Sequence, residues 1–224
     1  MNLIFIDIGN TYTKIKENQL ITSIRTNDLN SEFIKKYKNK KIILSSVVLE
    51  KNILFKGNKN LLFTINQDIV DSNDFSIDNL NELGSDLISA FYLFKDKKNC
   101  NLTIFGTMIV TLKIRNFKLV SVNLIQGIDL YLKSISDNIS LIKELDYKNI
   151  KSKYYTNTQD SISGNLTSIY QNYLNKLKKD RIKNYYQIYD SDLIEFPKKF
   201  IKVDNVVLKG MEEIYKNFAK KKEF

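Results

Sequence analysis

The sequence of 224 residues has no histidine, no tryptophan, one cysteine and one proline. The absence of histidine excludes Ser-His and Cys-His nucleophilic catalysis and histidine-ligated metal sites. The single cysteine, Cys100, excludes an internal disulfide and argues against a structural zinc site. A general base must therefore be a carboxylate, a lysine, a tyrosine or this thiol, and a reducing, cytoplasmic setting is expected.

Long apolar runs are also missing. No stretch of about 18 apolar residues occurs, and the N-terminal run has neither a basic start nor a small-residue cleavage site. We therefore expect no membrane span and no signal peptide. With 43% hydrophobic residues, the chain can bury the core of one large domain or of two small ones.

Arginine is scarce although the formal net charge is +10, since it occurs only at positions 25, 115 and 181. Arginine is the residue that most often makes planar contacts with phosphates and bases, so we do not expect nucleic-acid binding. The densest basic run, Lys220–Lys222, is typical of a solvated helix end.

The stretch around which the chain is organised runs from Leu3 to Ile15. An apolar run carries Asp7 near its end, Gly9 begins a polar turn, and a second run alternates polar and apolar residues. This pattern predicts a strand, a tight turn and a second strand.

The residues of this turn suit a phosphate tail that carries a metal ion. Gly9 lets backbone N–H groups approach a phosphate, and Asp7 can hold Mg²⁺ directly or through water. Asn10 and Thr11 can donate hydrogen bonds, and Lys14 supplies a point charge. An ordinary hairpin with a polar turn would show the same pattern.

Further elements are predicted up to residue 94. Asn30 or Ser31 is expected to cap a short helix. Apolar residues at 87, 88, 91 and 94 predict a second helix with Ser85 or Asp86 at its N-terminus, where Asp86 can serve as N-cap. The predicted strands are Leu20–Arg25, Lys41–Ser45 and Leu61–Ile65. The predicted short helix is Ser31–Tyr37.

A second strand-turn-strand set begins at Asn101. Phe105-Gly106-Thr107 and the following Thr111–Ile114 repeat the order of residue types in the opening hairpin, and Lys118–Leu124 predicts a third strand. Two copies about a hundred residues apart indicate an internal duplication. We place the boundary in the Lys95–Asn99 linker, which gives domains 1–98 and 99–224.

The remainder of the chain is predicted to be mainly helical, with one strand and two loops. The predicted helices are Gly127–Ile135, Asp160–Lys178 and Asn205–Lys220, and the predicted strand is Tyr185–Tyr189. One loop is Asp146–Asn157. The other contains the turn Asp190–Asp192 and Pro197.

In order along the chain, five segments resemble motifs of the type III pantothenate kinases. Asp7–Lys14 matches the first phosphate motif, Asp-x-Gly-Asn-Thr/Ser-x-x-Lys, and Ser45–Val48 matches a Ser-Ser-Val-Val segment. Gly84–Leu87 occupies the position of the family motif Gly-x-Asp-Arg. Thr158–Gly164 is similar to Thr-x-Asp…Ser-Gly, and Lys209–Met211 is similar to the Gly-Met or Gly-Leu turn near the end.

The resemblance implies an α/β fold, namely the duplicated ribonuclease-H-like fold of the actin-like ATPase and sugar kinase superfamily, with two lobes and a cleft between them. It implies ATP-dependent phosphorylation of pantothenate to 4'-phosphopantothenate, the first step of coenzyme A biosynthesis. The implied cofactors are Mg²⁺ with ATP and a monovalent cation, K⁺ or NH₄⁺. The implied partner is a second copy of the chain in a homodimer.

The same resemblance assigns roles to individual residues. Asp86 accepts the proton of the substrate hydroxyl and aligns the alcohol, and Asp7 helps hold Mg²⁺–ATP. The expected phosphate contacts are Gly9, Asn10, Thr11 and Lys14, with Gly106 and Thr107 from the second domain; the expected substrate contacts are Gly84, Ser85 and Thr158.

Three parts of the sequence depart from the family pattern, and one of them is Ser121–Gly127, which keeps only the final glycine of Gly-Gly-x-Ile-x-Pro-Gly. Ile104 stands where the second phosphate motif has an aspartate, so this motif is degenerate, and Leu87 replaces the arginine that follows the catalytic-type aspartate. Isoleucine cannot orient Mg²⁺ or water, and leucine lacks the arginine donors. Two alternatives therefore stay open: a catalytically weakened homologue that binds nucleotide or a protein as a regulator, and a phosphotransferase or hydrolase with another substrate.

Overall fold

The computed structural model describes residues 3–142, 145–152, 154–189 and 193–222, and side chains as far as residue 220. These residues form two compact units. The first takes its residues from Met1–Lys98, Ile114–Val120 and Asn205–Phe224, and the second from Asn99–Lys113 and Ser121–Asp204. The C-terminal helix groups with the first unit, whereas the division into domains 1–98 and 99–224 stays a prediction.

The first unit contains a five-stranded sheet with the order β3-β2-β1-β4-β5. β1, β2 and β3 are antiparallel neighbours, and β4 and β5 continue the sheet in parallel on the other side of β1. The predicted strands are confirmed within one residue at each end. Their bounds are β1 Leu3–Ile8, β2 Tyr12–Glu17, β3 Leu20–Arg25, β4 Lys41–Ser46 and β5 Leu61–Thr64.

Helices α1 (Ser31–Lys35), α2 (Ser85–Tyr92) and α5 (Val206–Lys222) complete this unit. Asn30 is the N-cap of α1, since its side chain accepts the Phe33 N–H at 3.0 Å. Short 3₁₀ helices also occur among the described residues, and the sequence patterns did not predict them. They are Thr26–Asp28, Leu49–Phe55, Gln67–Ile69, Ser72–Asp74 and Leu80–Glu82.

The second unit is built on a sheet with the order β10-β9-β6-β7-β8. β6, β9 and β10 run parallel to one another. The bounds are β6 Asn99–Phe105, β7 Met108–Arg115, β8 Lys118–Gln126, β9 Lys183–Gln187 and β10 Phe200–Lys202, with α3 Ile128–Asn138 and α4 Thr158–Lys178. Strand β10 was not predicted, and the predicted turn at 190–192 lies outside the described residues.

The two sheets have the same strand order. Read from its other edge, the second sheet has the order β8-β7-β6-β9-β10, which is the order β3-β2-β1-β4-β5 of the first sheet with each number raised by five. Both sheets therefore have the same topology: three sequential strands lie side by side, and two later strands continue the sheet on the other side of the first strand. The predicted duplication is confirmed at the level of topology. No helix in the described ranges is long and apolar enough to cross a bilayer.

Candidate active site

Asp7 lies near the end of β1, and its side chain is buried, with 8% exposure. Strand β4 runs parallel to β1 and places Ser45 beside it in register. The fully buried Ser45 hydroxyl donates a hydrogen bond to Asp7 Oδ1 at 3.2 Å. Because parallel strands end at the same edge of a sheet, this edge carries a carboxylate together with its hydroxyl donor.

The first turn of α2 reaches the same edge. Ser85, the first residue of the helix, has its Oγ 3.0 Å from Ser45 Oγ and accepts the Ser46 N–H at 2.8 Å. Ser85 is buried, so these contacts are protected from water. The helix start is thereby joined to the strand end through Ser45, the residue whose hydroxyl also contacts Asp7.

Asp86 is the second residue of α2, and Gly84 occupies the N-cap position, so the N-cap interpretation of Asp86 is wrong. Asp86 Oδ1 instead accepts the N–H of Leu87 at 2.8 Å. The carboxylate folds back over Gly84, because a Cβ on Gly84 would lie 2.5 Å from Asp86 Oδ1 and 3.2 Å from Val47 Cγ1. The glycine therefore leaves room for the carboxylate.

The two aspartates interact electrostatically. Burial, followed by the negative charge of Asp86, raises the pKa of Asp7 from 3.8 to about 7, whereas Lys14 and the Ser45 hydrogen bond oppose the rise. Burial also raises the pKa of Asp86. Two desolvated carboxylates, one of which is disfavoured by the charge of the other, form a site that a cation would stabilise.

The turn between β1 and β2 is braced by Thr26. The Gly9 N–H donates to Tyr12 O at 3.1 Å, and the Thr26 hydroxyl donates to Gly9 O at 2.6 Å. The Thr26 N–H donates to Thr11 O at 3.0 Å. Asn10 and Thr11 are exposed at the tip, and Lys14 on β2 is half-buried. The predicted phosphate residues of the first motif therefore lie on one supported hairpin.

The second hairpin resembles the first in its turn. The Gly106 N–H donates to Met108 O at 3.2 Å, and Gly106 and Thr107 are exposed. The Gly127 N–H donates to Thr107 O at 3.0 Å, and a Cβ on Gly127 would collide with the backbone oxygens of Gly106 and Thr107. A cavity of about 120 Å³ beside this turn is lined by Phe105, Gly106, Ile109, Ile128, Asp129, Ile188, Tyr189 and Leu193.

Thr158, a predicted substrate contact, is the first residue of α4 in the second unit, and it is exposed. The preceding Asn157 is the N-cap, since its Oδ1 accepts the Asp160 N–H at 2.8 Å. The structure thus gathers Asp7, Ser85 and Asp86 at one place in the first unit. Gly106, Thr107 and Thr158 belong to the second.

The role of Ser45 was not predicted, although its segment was singled out for its Ser-Ser-Val-Val pattern. The sequence did contain a signal for the role of Ser45, namely a hydroxyl at the end of a buried strand. Small polar residues at that position lie at the edge where parallel strands end, and ligands bind there. Thr26 was missed as well. It lies beyond β3, and only the pairing of β2 with β3 brings it back to the Gly9 turn.

The raised pKa of Asp7 predicts a pH-dependent stability for the metal-free protein. An acid whose pKa is about 7 when folded and 3.8 when unfolded binds its proton more tightly in the folded state. Its favourable contribution is present below pH 3.8 and is lost as the pH rises through about 7. Between pH 5 and 8 this loss amounts to roughly 2–3 kcal/mol.

Thermal unfolding of the wild type and of Asp7→Asn at pH 5 and pH 8, both in chelator, measures this effect. Asparagine cannot ionise, so the Tm of Asp7→Asn relative to the wild type should increase from pH 5 to pH 8. A Tm difference that is the same at both pH values would show that Asp7 titrates normally.

No protein-family model matches the chain. Among curated proteins, it is 30% identical over 209 residues to a type III pantothenate kinase of Malacoplasma penetrans, with 81% of this chain and 82% of that protein covered. The two sequences are therefore related over most of their lengths.

Solved structures share the fold at low sequence identity. A Campylobacter jejuni protein described as a Baf family transcriptional activator has a TM-score of 0.72 at 18% identity, covering 97% of this chain and all of that one. A 2-dehydro-3-deoxygalactonokinase from Sinorhizobium meliloti gives 0.61 at 8% identity, with 96% of each chain covered. MreB 5 of Spiroplasma citri, bound to AMPPNP, gives 0.50 at 11%, covering 100% and 99%. These likenesses confirm the predicted fold class, that of actin-like ATPases and sugar kinases.

Proposed function

The chain belongs to the type III pantothenate kinase family, and we propose that it transfers the γ-phosphoryl group of ATP to the primary hydroxyl of pantothenate, forming 4'-phosphopantothenate. The observation that carries the proposal is the placement of Asp7 and Asp86, 79 positions apart in the chain, close enough for the charge of one to raise the pKa of the other. Phosphoryl transfer requires positioning and charge neutralisation more than covalent chemistry by the protein.

Asp86 is the proposed general base. Burial raises its pKa above the ordinary value for an aspartate, which makes it a better acceptor for an alcohol proton. The Leu87 N–H holds one carboxylate oxygen, and the helix start fixes the residue's position. Asp86 therefore orients the hydroxyl and takes its proton as the new bond to phosphorus forms.

The donor set around Asp7 fits Mg²⁺ that arrives with the nucleotide. In the described part of the chain, no group of three or more acidic or thiol side chains could hold a metal ion alone. Mg²⁺ is commonly held by one or two carboxylates together with substrate phosphates. Bound there, it would neutralise charge on the phosphates, and Asp7 would hold it directly or through water.

The remaining predicted contacts complete the proposal. On the first hairpin, the polar side chains of Asn10 and Thr11 and the ammonium group of Lys14 would bind the phosphates. Gly9, whose own N–H donates to Tyr12 O, would let the phosphates approach the backbone closely. Gly106 and Thr107, on the second hairpin, stay predictions as phosphate contacts; the Gly106 N–H itself donates to Met108 O. Gly84, Ser85 and Thr158 stay predictions as substrate contacts.

A homodimer, a requirement for K⁺ or NH₄⁺, and a cytoplasmic location are further parts of the proposal, supported by the family membership. The first two have their own measurements. Sedimentation equilibrium would give the oligomeric state, and the dependence of kcat on K⁺ and NH₄⁺ at constant ionic strength would give the cation requirement.

A coupled assay of ADP release with ATP, pantothenate, Mg²⁺ and K⁺ tests the function directly. We expect ADP release that depends on pantothenate, with one 4'-phosphopantothenate formed for each ADP. Nucleotide binding without any ADP release would instead support the regulator that the changes at Ile104 and Leu87 left open. ADP release with another small acid, but not with pantothenate, would support a different phosphotransferase.

A further inference from the structure

We infer that Ser45 and Ser85 are positioning residues whose linked hydroxyls hold the Asp7 carboxylate in place relative to Asp86. The inference rests on the proposed function, because it concerns the two carboxylates assigned there to the metal-bound nucleotide and to the substrate hydroxyl. Both serines are buried, and neither needs to touch a ligand to act in this way.

The direction of the hydrogen bonds follows from counting protons. Each serine hydroxyl has one proton to donate. While Asp7 is ionised, Ser45 uses its proton on Asp7 Oδ1, so the 3.0 Å contact between the two hydroxyls is donated by Ser85. The Ser46 N–H in turn donates to Ser85 Oγ. The chain therefore runs from the Ser46 N–H through Ser85 and Ser45 to the carboxylate.

This chain of hydrogen bonds joins three elements that are far apart in sequence. It begins at the end of β4, passes through the first residue of α2, returns to β4 and ends on β1. Asp86 is the residue directly after Ser85, so holding the Ser85 hydroxyl also holds the start of the helix that carries Asp86. In a buried network, every donor and acceptor that is satisfied makes the arrangement more rigid.

The same contacts account for Ser85 without a substrate. Its oxygen accepts one hydrogen bond from a backbone N–H, and its proton is donated to Ser45. A serine that binds pantothenate would need its proton or a lone pair directed at the substrate. The geometry points to a structural link, in place of the substrate contact that the sequence motif predicted.

Ser45→Ala and Ser85→Ala test the inference, with Ser89→Ala as the matched control. Ser89 is also fully buried on α2, but its hydroxyl donates to Ser85 O at 2.7 Å, within the helix, and does not reach Asp7. We expect kcat to fall roughly 10–100-fold in the two test variants, as when groups that orient metal-binding carboxylates are removed. The KM for pantothenate should change less than about threefold, whereas Ser89→Ala should keep the wild-type kcat at temperatures where all variants are folded.

The carboxyl ¹³C resonance of Asp7, in protein labelled with ¹³C-aspartate and assigned with Asp7→Asn, is a second readout that needs no catalysis. It should move in Ser45→Ala and in Ser85→Ala at constant pH and stay in place in Ser89→Ala. This readout separates the two proposals: a wild type without kinase activity would overturn the proposed function, and the resonance would still decide the positioning.

Two results would overturn the positioning role. One is a loss of kcat in both test variants no greater than that in Ser89→Ala, with an unmoved Asp7 resonance. The other is Ser85→Ala with an unchanged kcat and a raised KM for pantothenate, which would assign Ser85 to substrate binding.

Discussion

Replacing Asp86 with asparagine is expected to lower kcat by roughly 10²–10⁴-fold, the range that a positioned general base contributes. Asparagine keeps the shape of the side chain, and its oxygen can still accept the Leu87 N–H. It cannot accept a proton from the alcohol. The KM for ATP should change little, because the first hairpin and Asp7 are left intact.

Loss of stability would not explain this result. Burial raises the pKa of the Asp86 carboxyl, which means that the ionised form is disfavoured in the folded protein. The negative charge of Asp86 also raises the pKa of Asp7, so it disfavours the ionised form of that carboxyl as well. Removing the charge should therefore leave the free energy of unfolding at pH 8 unchanged or increase it.

Asp68→Asn is the matched control for this substitution. Asp68 is an exposed aspartate in the first turn of another short helix of the same unit, and we expect its variant to keep wild-type kinetics. Steady-state kinetics of the two variants and their thermal unfolding at pH 8 are the measurements. An Asp86→Asn enzyme with kcat within threefold of the wild type would remove Asp86 from its role as base.

Gly210→Ala is expected to lower the free energy of unfolding by about 3 kcal/mol, the upper part of the usual range for overpacking. A Cβ on Gly210 would collide with the backbone oxygen and carbonyl carbon of Ser89, where α5 packs closely on α2. Backbone atoms cannot rotate away as a flexible side chain can. In a solvent-exposed helix the same change would stabilise by about 1 kcal/mol, so helix propensity predicts the opposite sign.

The matched control is Gly106→Ala, since the nearest atom to a Cβ at that glycine is 3.7 Å away and its backbone needs no left-handed conformation. Differential scanning calorimetry should give a Tm lower by about 6–12 °C for Gly210→Ala and a near wild-type Tm for Gly106→Ala. Because Ser89 lies on the helix that carries Asp86, we also expect reduced kinase activity in Gly210→Ala. A Tm equal to that of the wild type would show that α2 and α5 can move apart without cost.

Most of the secondary structure was predictable from local patterns. The apolar run before Gly9 and the alternation after it predicted β1 and β2, and the 3.6-residue spacing of apolar positions predicted α4 and α5. These signals work because each depends on neighbours within a few positions. The short 3₁₀ helices and β10 carry no such period, and they depend on what the rest of the chain packs against them.

The motif residues were also found in the sequence, but their arrangement was not. The patterns around Asp7 and Asp86 indicated two acidic sites without giving a reason for Gly84 or a role for Ser45. The structure supplies both: Gly84 makes room for the Asp86 carboxylate, and Ser45 donates to Asp7.

The sequence by itself determined the strands, the longer helices, the duplicated order and the residue types that kinase chemistry needs. Only the tertiary structure decided that Asp7, Ser45 and Ser85 form one linked group beside Asp86, and that α5 packs on α2 at Gly210. The physical reason is distance along the chain. The linked residues are 38 and 40 positions apart, so their hydrogen bonds exist only after β1 and β4 pair in parallel and α2 packs at the edge where both strands end.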